Sequence, residues 1–334
     1  MAGLILVSNC INLAADLAAM GDALGLLVHG PTRYYAAAFG VGSLLWEVFI
    51  PYRRYASVLK WLTLALLAYV GVVFSIHVPW PEVLRATLMP HIVFSPAYLT
   101  TLVAVLGTTI SPYLFFWQAA QEVEEQRIDP LAEPLKHAPE QAPTQLQRIK
   151  VDTFVGMGIS NLIGFFIILT AAATLHSHGI TDIQSSAQAA SALRPVAGDA
   201  AFLLFAIGII GTGLLAVPVL AGSAAYAVAG AFRLNKGLEK KPRAARVFYA
   251  IIAISILIGI GLGFTPVNPI KALYWSAVIS GIVAVPVMAV MMLVAARREV
   301  MGNFILSPRL RRMGWAATFI MAAAAAGLLW SFYL

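Results

Sequence analysis

The chain has 334 residues, of which 60% are hydrophobic and only 11% are charged, and it carries a formal net charge of +7 at pH 7. This composition excludes an ordinary soluble domain, because a chain of this size with so few charges would expose large apolar patches to water. We therefore expect most of the chain to lie in a lipid bilayer.

Long apolar runs without alternation, such as 154–175 and 248–264, predict transmembrane helices rather than the strands of a barrel. Taken in chain order, at about 20 residues for each crossing, they predict an all-α polytopic membrane bundle of about nine helices. We expect these helices to form a single transmembrane domain over residues 1–334. The predicted spans are 3–28, 34–51, 56–76, 98–120, 152–175, 200–232, 247–264, 270–296 and 313–334.

The distribution of basic residues predicts the orientation of the spans. Nine spans place the two chain ends on opposite sides of the membrane. With the amino terminus in the cytoplasm, the inside loops hold all but four of the 22 Lys and Arg residues, and those four are Arg33, Arg85, Arg194 and Lys271. Such an excess on the inside is the usual pattern of multi-pass membrane proteins. The net positive charge is thereby accounted for, and we expect no nucleic acid partner.

The first predicted span carries polar residues that are costly in a bilayer. Asn9, Asn12 and Asp16 are three and four residues apart, so they lie on one face of a helix. A carboxylate near the bilayer centre predicts a functional role, either as a proton relay or in neutralising a cation on its path. The alternative is a buried hydrogen-bond network that joins helices, and for Asn161 in the fifth span this alternative is the stronger one.

The fourth predicted span is interrupted by a proline. Pro112 has no N–H for the carbonyl of Thr108, and its ring crowds the preceding turn. With a glycine and two threonines beside it, we expect the helix to unwind between Gly107 and Pro112. The Thr108 carbonyl and the Thr109 and Ser111 hydroxyls would then be oxygen ligands at mid-membrane depth, as in the interrupted helices of secondary transporters. The alternative is a simple proline kink.

The sequence does not predict an enzyme. It contains no Walker loop, no Gly-rich dinucleotide loop and no nucleophile with its base. The histidines do not have the spacing of metal ligands, and we expect His176 and His178 to be solvated loop residues. We therefore expect no catalytic residue and no bound cofactor.

Two segments resemble a known transporter family. Residues 105–125, which contain Gly-Thr-Thr-Ile-Ser-Pro-Tyr, resemble the sixth helix of the divergent bacterial branch of the Nramp family of divalent metal transporters, and residues 9–20 resemble its third helix. The resemblance covers nearly the whole chain. It implies a leucine-transporter-like fold of two inverted five-helix repeats, with the metal held between broken first and sixth helices. It also implies alternating-access transport of a divalent metal ion across the lipid bilayer of the bacterial inner membrane, with protons as a candidate coupling ion.

The resemblance also assigns site residues. The backbone-carbonyl ligand of the family falls on Thr108, and the methionine ligand is replaced by Ser111. The histidine after the proline is replaced by Tyr113, and a later histidine is replaced by Gln118. Because a hydroxyl favours hard cations whereas a thioether favours softer ones, magnesium joins manganese and iron as a candidate substrate.

The resemblance further implies a polar pathway beside the metal site. The third helix of the family carries an Asp-x-x-Glu pair, of which this chain keeps Asp16 but has Ala19 in place of the glutamate, so the prediction of proton coupling is weakened. The predicted metal ligands are Thr108 and Ser111, and the predicted helix break lies at Gly107 and Pro112. The residues predicted for the polar or proton pathway are Asp16, Asn12, Tyr113, Gln118 and Asn161.

On this alignment the chain begins at the third helix of the family, so we expect the first two helices, with their Asp-Pro-Gly-Asn type motif, to be missing. Two alternatives stay open from the sequence. One is a non-transporting membrane protein, such as a truncated remnant or an assembly subunit. The other is a transporter of a small organic substrate on the same scaffold, although no paired recognition group for a carboxylate and an amine is evident.

Overall fold

The computed structural model describes residues 2–50, 57–58, 61, 63–76, 78–90, 93–180 and 182–331. Within these residues every regular secondary-structure element is a helix, and they contain no β-strand. The predicted fold class, an all-α polytopic bundle, is therefore confirmed.

The helices are numbered here in chain order. The first half of the chain forms α1 (Ala2–Val28), α2 (Thr32–Phe49), a 3-10 turn (Thr63–Leu66), α3 (Leu67–Ser75), α4 (Trp80–Leu88), α5 (Pro96–Ile110) and α6 (Pro112–Ile128). The second half forms α7 (Ala142–Thr174), α8 (Ser186–Ala231), α9 (Arg246–Gly263), α10 (Pro269–Ala295), α11 (Arg298–Met301) and α12 (Pro308–Ser331). Within α8 the backbone leaves the helical region at Gly198, where φ is 81°.

Seven segments of the described chain are long and apolar enough to cross a bilayer, and each overlaps one predicted span. They are Ala2–Val28, Pro96–Ile128, Pro139–Thr174, Gly198–Ala231, Arg246–Gly263, Pro269–Ala295 and Pro308–Ser331. The predicted span 34–51 corresponds to α2, an 18-residue helix that is not among the seven. The predicted span 56–76 lies partly outside the described residues, and its described part includes the 3-10 turn and α3. The count of nine spans and the single domain therefore stay predictions.

The central helix of the bundle is α1, which packs against α2, α8, α9 and α10. Its residues Leu13, Leu17 and Met20 are fully buried and join Phe248 and Ile252 of α9 in an apolar core. In a bilayer this contact is not driven by removal from water, because lipid tails are as apolar as the core, so close packing holds the helices together. The packing fixes the position of the polar residues that α1 carries.

A second apolar core places α10 between α5 and α12. It contains Val103 of α5, Val278 and Ala284 of α10, and Met321 and Leu328 of α12. Because α10 also packs against α1, it connects the helix that carries Pro112 to the centre of the bundle.

Several loops meet at one end of the bundle. Lys136 donates a hydrogen bond from Nζ to the Glu299 carbonyl of α11 at 2.9 Å. An Arg127 nitrogen at the end of α6 lies 3.6 Å from the Glu239 carboxylate, in the loop 232–245 between α8 and α9. We call this the basic end, and it comprises the described segments that follow α2, α6, α8 and α10. The predicted inside residues Arg53, Arg54 and Lys60 lie outside the described residues.

Candidate functional site

The helix that carries Pro112 is interrupted at one residue. Helix α5 ends at Ile110, Ser111 has φ 44° and ψ 81°, and α6 begins at Pro112. The physical reason is the proline, which lacks an N–H and disfavours the helical conformation of the residue before it. The predicted unwinding is therefore concentrated in Ser111, whereas Gly107 lies inside α5.

The backbone of Ser111 is strained. Its positive φ is a left-handed conformation that costs a residue with a Cβ about 1–2 kcal/mol. Such conformations persist where the surrounding structure enforces them, and they are concentrated at functional sites. Ser111 is only 5% exposed, and its N–H donates to the Gly107 carbonyl at 3.0 Å. The strained residue is thus held from both sides, by its own helix and by the packing around it.

The two predicted ligand oxygens are in direct contact. The Ser111 hydroxyl donates a hydrogen bond to the Thr108 carbonyl, which is the carbonyl that Pro112 leaves without an N–H. The Thr109 hydroxyl instead donates to the Val105 carbonyl at 2.8 Å, inside its own helix. The structure therefore brings Thr108 and Ser111 together and turns the Thr109 hydroxyl back onto α5.

Three serines, which the sequence reasoning did not identify, form a hydroxyl cluster between α1 and α10. The Ser8 hydroxyl lies 2.9 Å from the Ser276 hydroxyl and 2.8 Å from the Ser280 hydroxyl, and Ser276 donates to the Ser8 carbonyl at 3.0 Å. All three side chains are buried. A signal was present in the sequence, since Ser276 and Ser280 are four residues apart and share one helix face.

A small cavity connects this hydroxyl cluster with the helix break. Its volume is about 10 Å³, which is close to the smallest space that holds one water molecule. The polar side chains in its wall belong to Ser8, Asn9, Tyr113 and Ser280, and the ring of Pro112 forms part of the same wall. The break thus lies beside a small buried space that has four polar side chains in its wall and is about the size of a single water molecule.

Asp16 lies within electrostatic range of two tyrosines. They are Tyr113, two residues after the break, and Tyr69 of α3. Asp16 and Tyr113, two members of the predicted polar pathway, therefore lie in the same region of the bundle.

The two asparagines of α1 differ in their surroundings. Asn9 is almost fully buried, and its amide donates to the Leu220 carbonyl of α8 at 2.9 Å. This is a hydrogen bond that joins two helices, as the alternative interpretation of this face expected. Asn12 lies one turn further along α1 and is half-buried.

Gln118 and Asn161 lie away from the helix break. The Gln118 amide donates to the Thr153 hydroxyl of α7 at 3.1 Å, at an exposed position. Asn161 is exposed on α7, which packs mainly against α3. The structure therefore does not bring these two side chains to Thr108 and Ser111.

The chemistry available for a cation at the break is that of oxygen ligands. In the part of the chain that the structure describes, no three His, Cys, Asp or Glu side chains are grouped so that they could hold a metal ion. The Thr108 carbonyl and the Ser111 hydroxyl lie at the break, and the hydroxyls of Ser8 and Ser280 lie in the wall of the cavity beside Pro112. Carbonyl and hydroxyl oxygens are hard ligands, which suit magnesium, calcium and manganese better than softer metals.

A comparison of the whole chain with protein families identifies the family to which it belongs. The family model described as natural resistance-associated macrophage protein-like matches residues 1–331. The chain belongs to the Nramp family. The family resemblance of the segments 9–20 and 105–125 is thereby confirmed.

Bacterial Nramp relatives carry the name divalent metal cation transporter MntH. The protein from Deinococcus radiodurans is 27% identical over 237 residues, which are 70% of this chain and 49% of the relative. The protein from Clostridium acetobutylicum is 26% identical over 236 residues, or 70% of this chain and 50% of the relative. The protein from Acidiphilium cryptum is 25% identical over 313 residues, or 89% of this chain and 65% of the relative. This Nramp chain thus spans about half the length of the first two relatives.

Proposed function

We propose that this Nramp chain takes part in secondary transport of a divalent metal cation across the bacterial inner membrane by alternating access. Membership of the Nramp family and the names of its bacterial relatives support this function. We further propose that the basic end faces the cytoplasm, since the positive-inside pattern of the sequence favours that orientation.

The observation that carries the proposal is the contact between the Ser111 hydroxyl and the Thr108 carbonyl at the helix break. A cation can take the place of the hydroxyl hydrogen between these two oxygens, because the hydroxyl rotates and then presents a lone pair. The carbonyl end of α5 is also the negative end of its helix dipole, which attracts a positive ion. Both effects act at the same point of the chain.

The ligand chemistry favours a hard cation. Magnesium takes six oxygen ligands and often keeps some of its waters, so a carbonyl and a hydroxyl supply only part of its shell. The remaining ligands are proposed to be waters and the nearby hydroxyls of Ser8 and Ser280. We therefore propose magnesium as a substrate, with manganese as its main competitor.

Uptake of magnesium and manganese into proteoliposomes tests the function. We expect Ser111→Ala to reduce uptake of both ions. Thr109→Val is the matched control, because the Thr109 hydroxyl is bonded within its own helix, and it should keep uptake at the wild-type level. Ser111→Met introduces a softer ligand and should shift the preference toward manganese.

Three results would contradict the proposal. Equal cation uptake by wild type and Ser111→Ala would show that the cation site does not lie at the helix break. The absence of cation uptake, both in the chain and in a form extended upstream by two helices, would favour a non-transporting protein. Uptake of an organic solute without any cation uptake would favour the other alternative.

A further inference from the structure

Glu47 is a buried acid with no hydrogen-bond partner among the residues that the structure describes. It lies near the end of α2, is only 4% exposed, and neither carboxyl oxygen has a hydrogen-bond partner in the described chain. It packs against α8 at Gly222, where an added Cβ would lie 3.5 Å from a Glu47 oxygen and 2.5 Å from the Trp117 ring. Gly222 thus leaves room for the Glu47 carboxyl group of α2 and the Trp117 indole of α6 on the same side of α8.

This environment determines the charge of Glu47. A carboxylate removed from water needs an opposite charge or several hydrogen-bond donors, and it becomes neutral when it has neither. Among the described residues no basic side chain pairs with Glu47. In this conformation Glu47 is therefore a carboxylic acid that holds a proton.

A second acid, Glu124 of α6, binds the loop 232–245. It is 2% exposed and accepts hydrogen bonds from the Tyr226 hydroxyl, from the Leu238 N–H at 3.0 Å and from the Glu239 N–H at 3.2 Å. The carboxyl group of Glu239 lies beside that of Glu124. Two adjacent carboxyl groups repel each other when both are ionised, so the Glu239 side chain favours the protonated form of Glu124.

Tyr249 of α9 connects the three acids. It lies within electrostatic range of Glu47, Glu124 and Glu239. Its hydroxyl donates to the Lys240 carbonyl at 3.0 Å, which fixes the loop against α9. The three acids, which belong to α2, α6 and the loop between α8 and α9, thus lie within electrostatic range of one side chain at the basic end, and we call them the acidic cluster.

Cavities lie on two sides of this acidic cluster. One, of about 500 Å³, is lined by Phe115 and Phe116 near the helix break and reaches Glu124 and Tyr226. The other, of about 390 Å³, is lined by Glu239 and Tyr249. The titratable and charged groups in the walls of the two cavities are Glu124, Arg127, Tyr226, Lys236, Glu239, Lys240, Lys241 and Tyr249.

We propose that Glu47 and Glu124 are the proton-binding groups of the acidic cluster at the basic end of the bundle, separate from the cation site at the helix break. A proton rather than a metal is the ligand, because these carboxyl groups are not grouped so that they could hold a metal ion, and basic side chains line both adjoining cavities. Each binding step takes a proton from a hydronium ion and leaves water. The contribution of this site to transport rests on the proposed function, whereas the binding itself does not.

Infrared spectroscopy of the purified protein tests the binding without any transport assay. A protonated carboxyl group gives a C=O stretch that is distinct from that of a carboxylate. We expect wild type at neutral pH to show this band, with the isotope shift of labelled glutamate. The band should weaken in Glu47→Gln, and it should persist in Glu125→Gln, because Glu125 is an exposed acid paired with Arg148.

Other outcomes overturn the proposal. The absence of the glutamic acid band in wild type would mean that all three acids are ionised, and this result does not depend on the folding of any variant. An unchanged band in Glu47→Gln would show that Glu47 is ionised.

In vesicles, we expect Glu47→Gln to lose cation-driven proton movement while cation binding at the break is retained. Loss of the cation binding alone would contradict the proposed function and leave the infrared result intact.

Discussion

Gly107 of α5 lies against Gly281 of α10 so closely that a Cβ on Gly107 would come within 2.5 Å of the Gly281 nitrogen and 2.2 Å of the Ala277 carbonyl oxygen. The contact is reciprocal, since a Cβ on Gly281 would lie 2.6 Å from the Val103 carbonyl oxygen. Small residues of this kind let two membrane helices approach backbone to backbone. The contact holds α10 and its hydroxyl residues beside the helix break.

We expect Gly107→Ala to separate α5 from α10. Overpacking at a close contact costs about 1–3 kcal/mol of unfolding free energy, and thermal unfolding in detergent measures the loss. Gly156→Ala on α7 is the control, because its Cβ meets nothing within 4 Å. That variant should be neutral or slightly more stable, since alanine is the better helix former. Equal stability of both variants would show that α5 and α10 do not rely on this contact.

At Ser111 we expect two substitutions to differ in unfolding free energy but not in cation uptake. Glycine adopts the positive φ of Ser111 without strain, whereas alanine does not, so Ser111→Gly should be more stable than Ser111→Ala by about 1–2 kcal/mol. Both variants lack the hydroxyl, and both should lose cation uptake to the same extent. Thermal unfolding and proteoliposome uptake are measured on the same preparations. If uptake instead followed stability, the hydroxyl would not be a ligand.

The Tyr226 hydroxyl stabilises the buried Glu124 carboxyl group. Because it donates to a buried acid, we expect Tyr226→Phe to cost about 1.5–3 kcal/mol of unfolding free energy. Tyr274→Phe serves as the control, since the Tyr274 hydroxyl meets Thr101 at 3.1 Å in an exposed position, and its loss should have little effect. Equal melting temperatures for the two variants would mean that Glu124 is satisfied by the loop amides alone.

For Asn9 we expect a structural role. Removal of the hydrogen bond to Leu220 in Asn9→Ala should cost about 0.6 kcal/mol, and at most about 1.7 kcal/mol, the range measured for helix-joining bonds in a membrane protein. Asn161→Ala, at an exposed position of α7, should leave the melting temperature unchanged. A large fall in cation uptake by Asn9→Ala, without loss of stability, would place Asn9 in the transport path instead.

The helix break was predictable because its cause is local. Pro112 lacks an N–H and restricts the residue before it, whatever the tertiary structure is. The extent of the break was not predictable, because the packing of Gly107 against α10 keeps that part of α5 helical. Gln118 and Asn161 were assigned by resemblance, and only the rotation of α6 and α7 in the bundle shows that they point away from the break.

The helical membrane class, the long apolar helices and the interruption at Pro112 were predictable from the amino-acid sequence, since these follow from hydropathy and from covalent geometry. Which helix faces meet is visible only in the folded bundle. Ser8 reaches Ser276 and Ser280 across 268 and 272 residues of chain, and Glu47 is buried against α8 rather than directed to solvent. The physical reason is that helices in a bilayer are oriented by close packing of small side chains, a property of pairs of helices that no single segment contains.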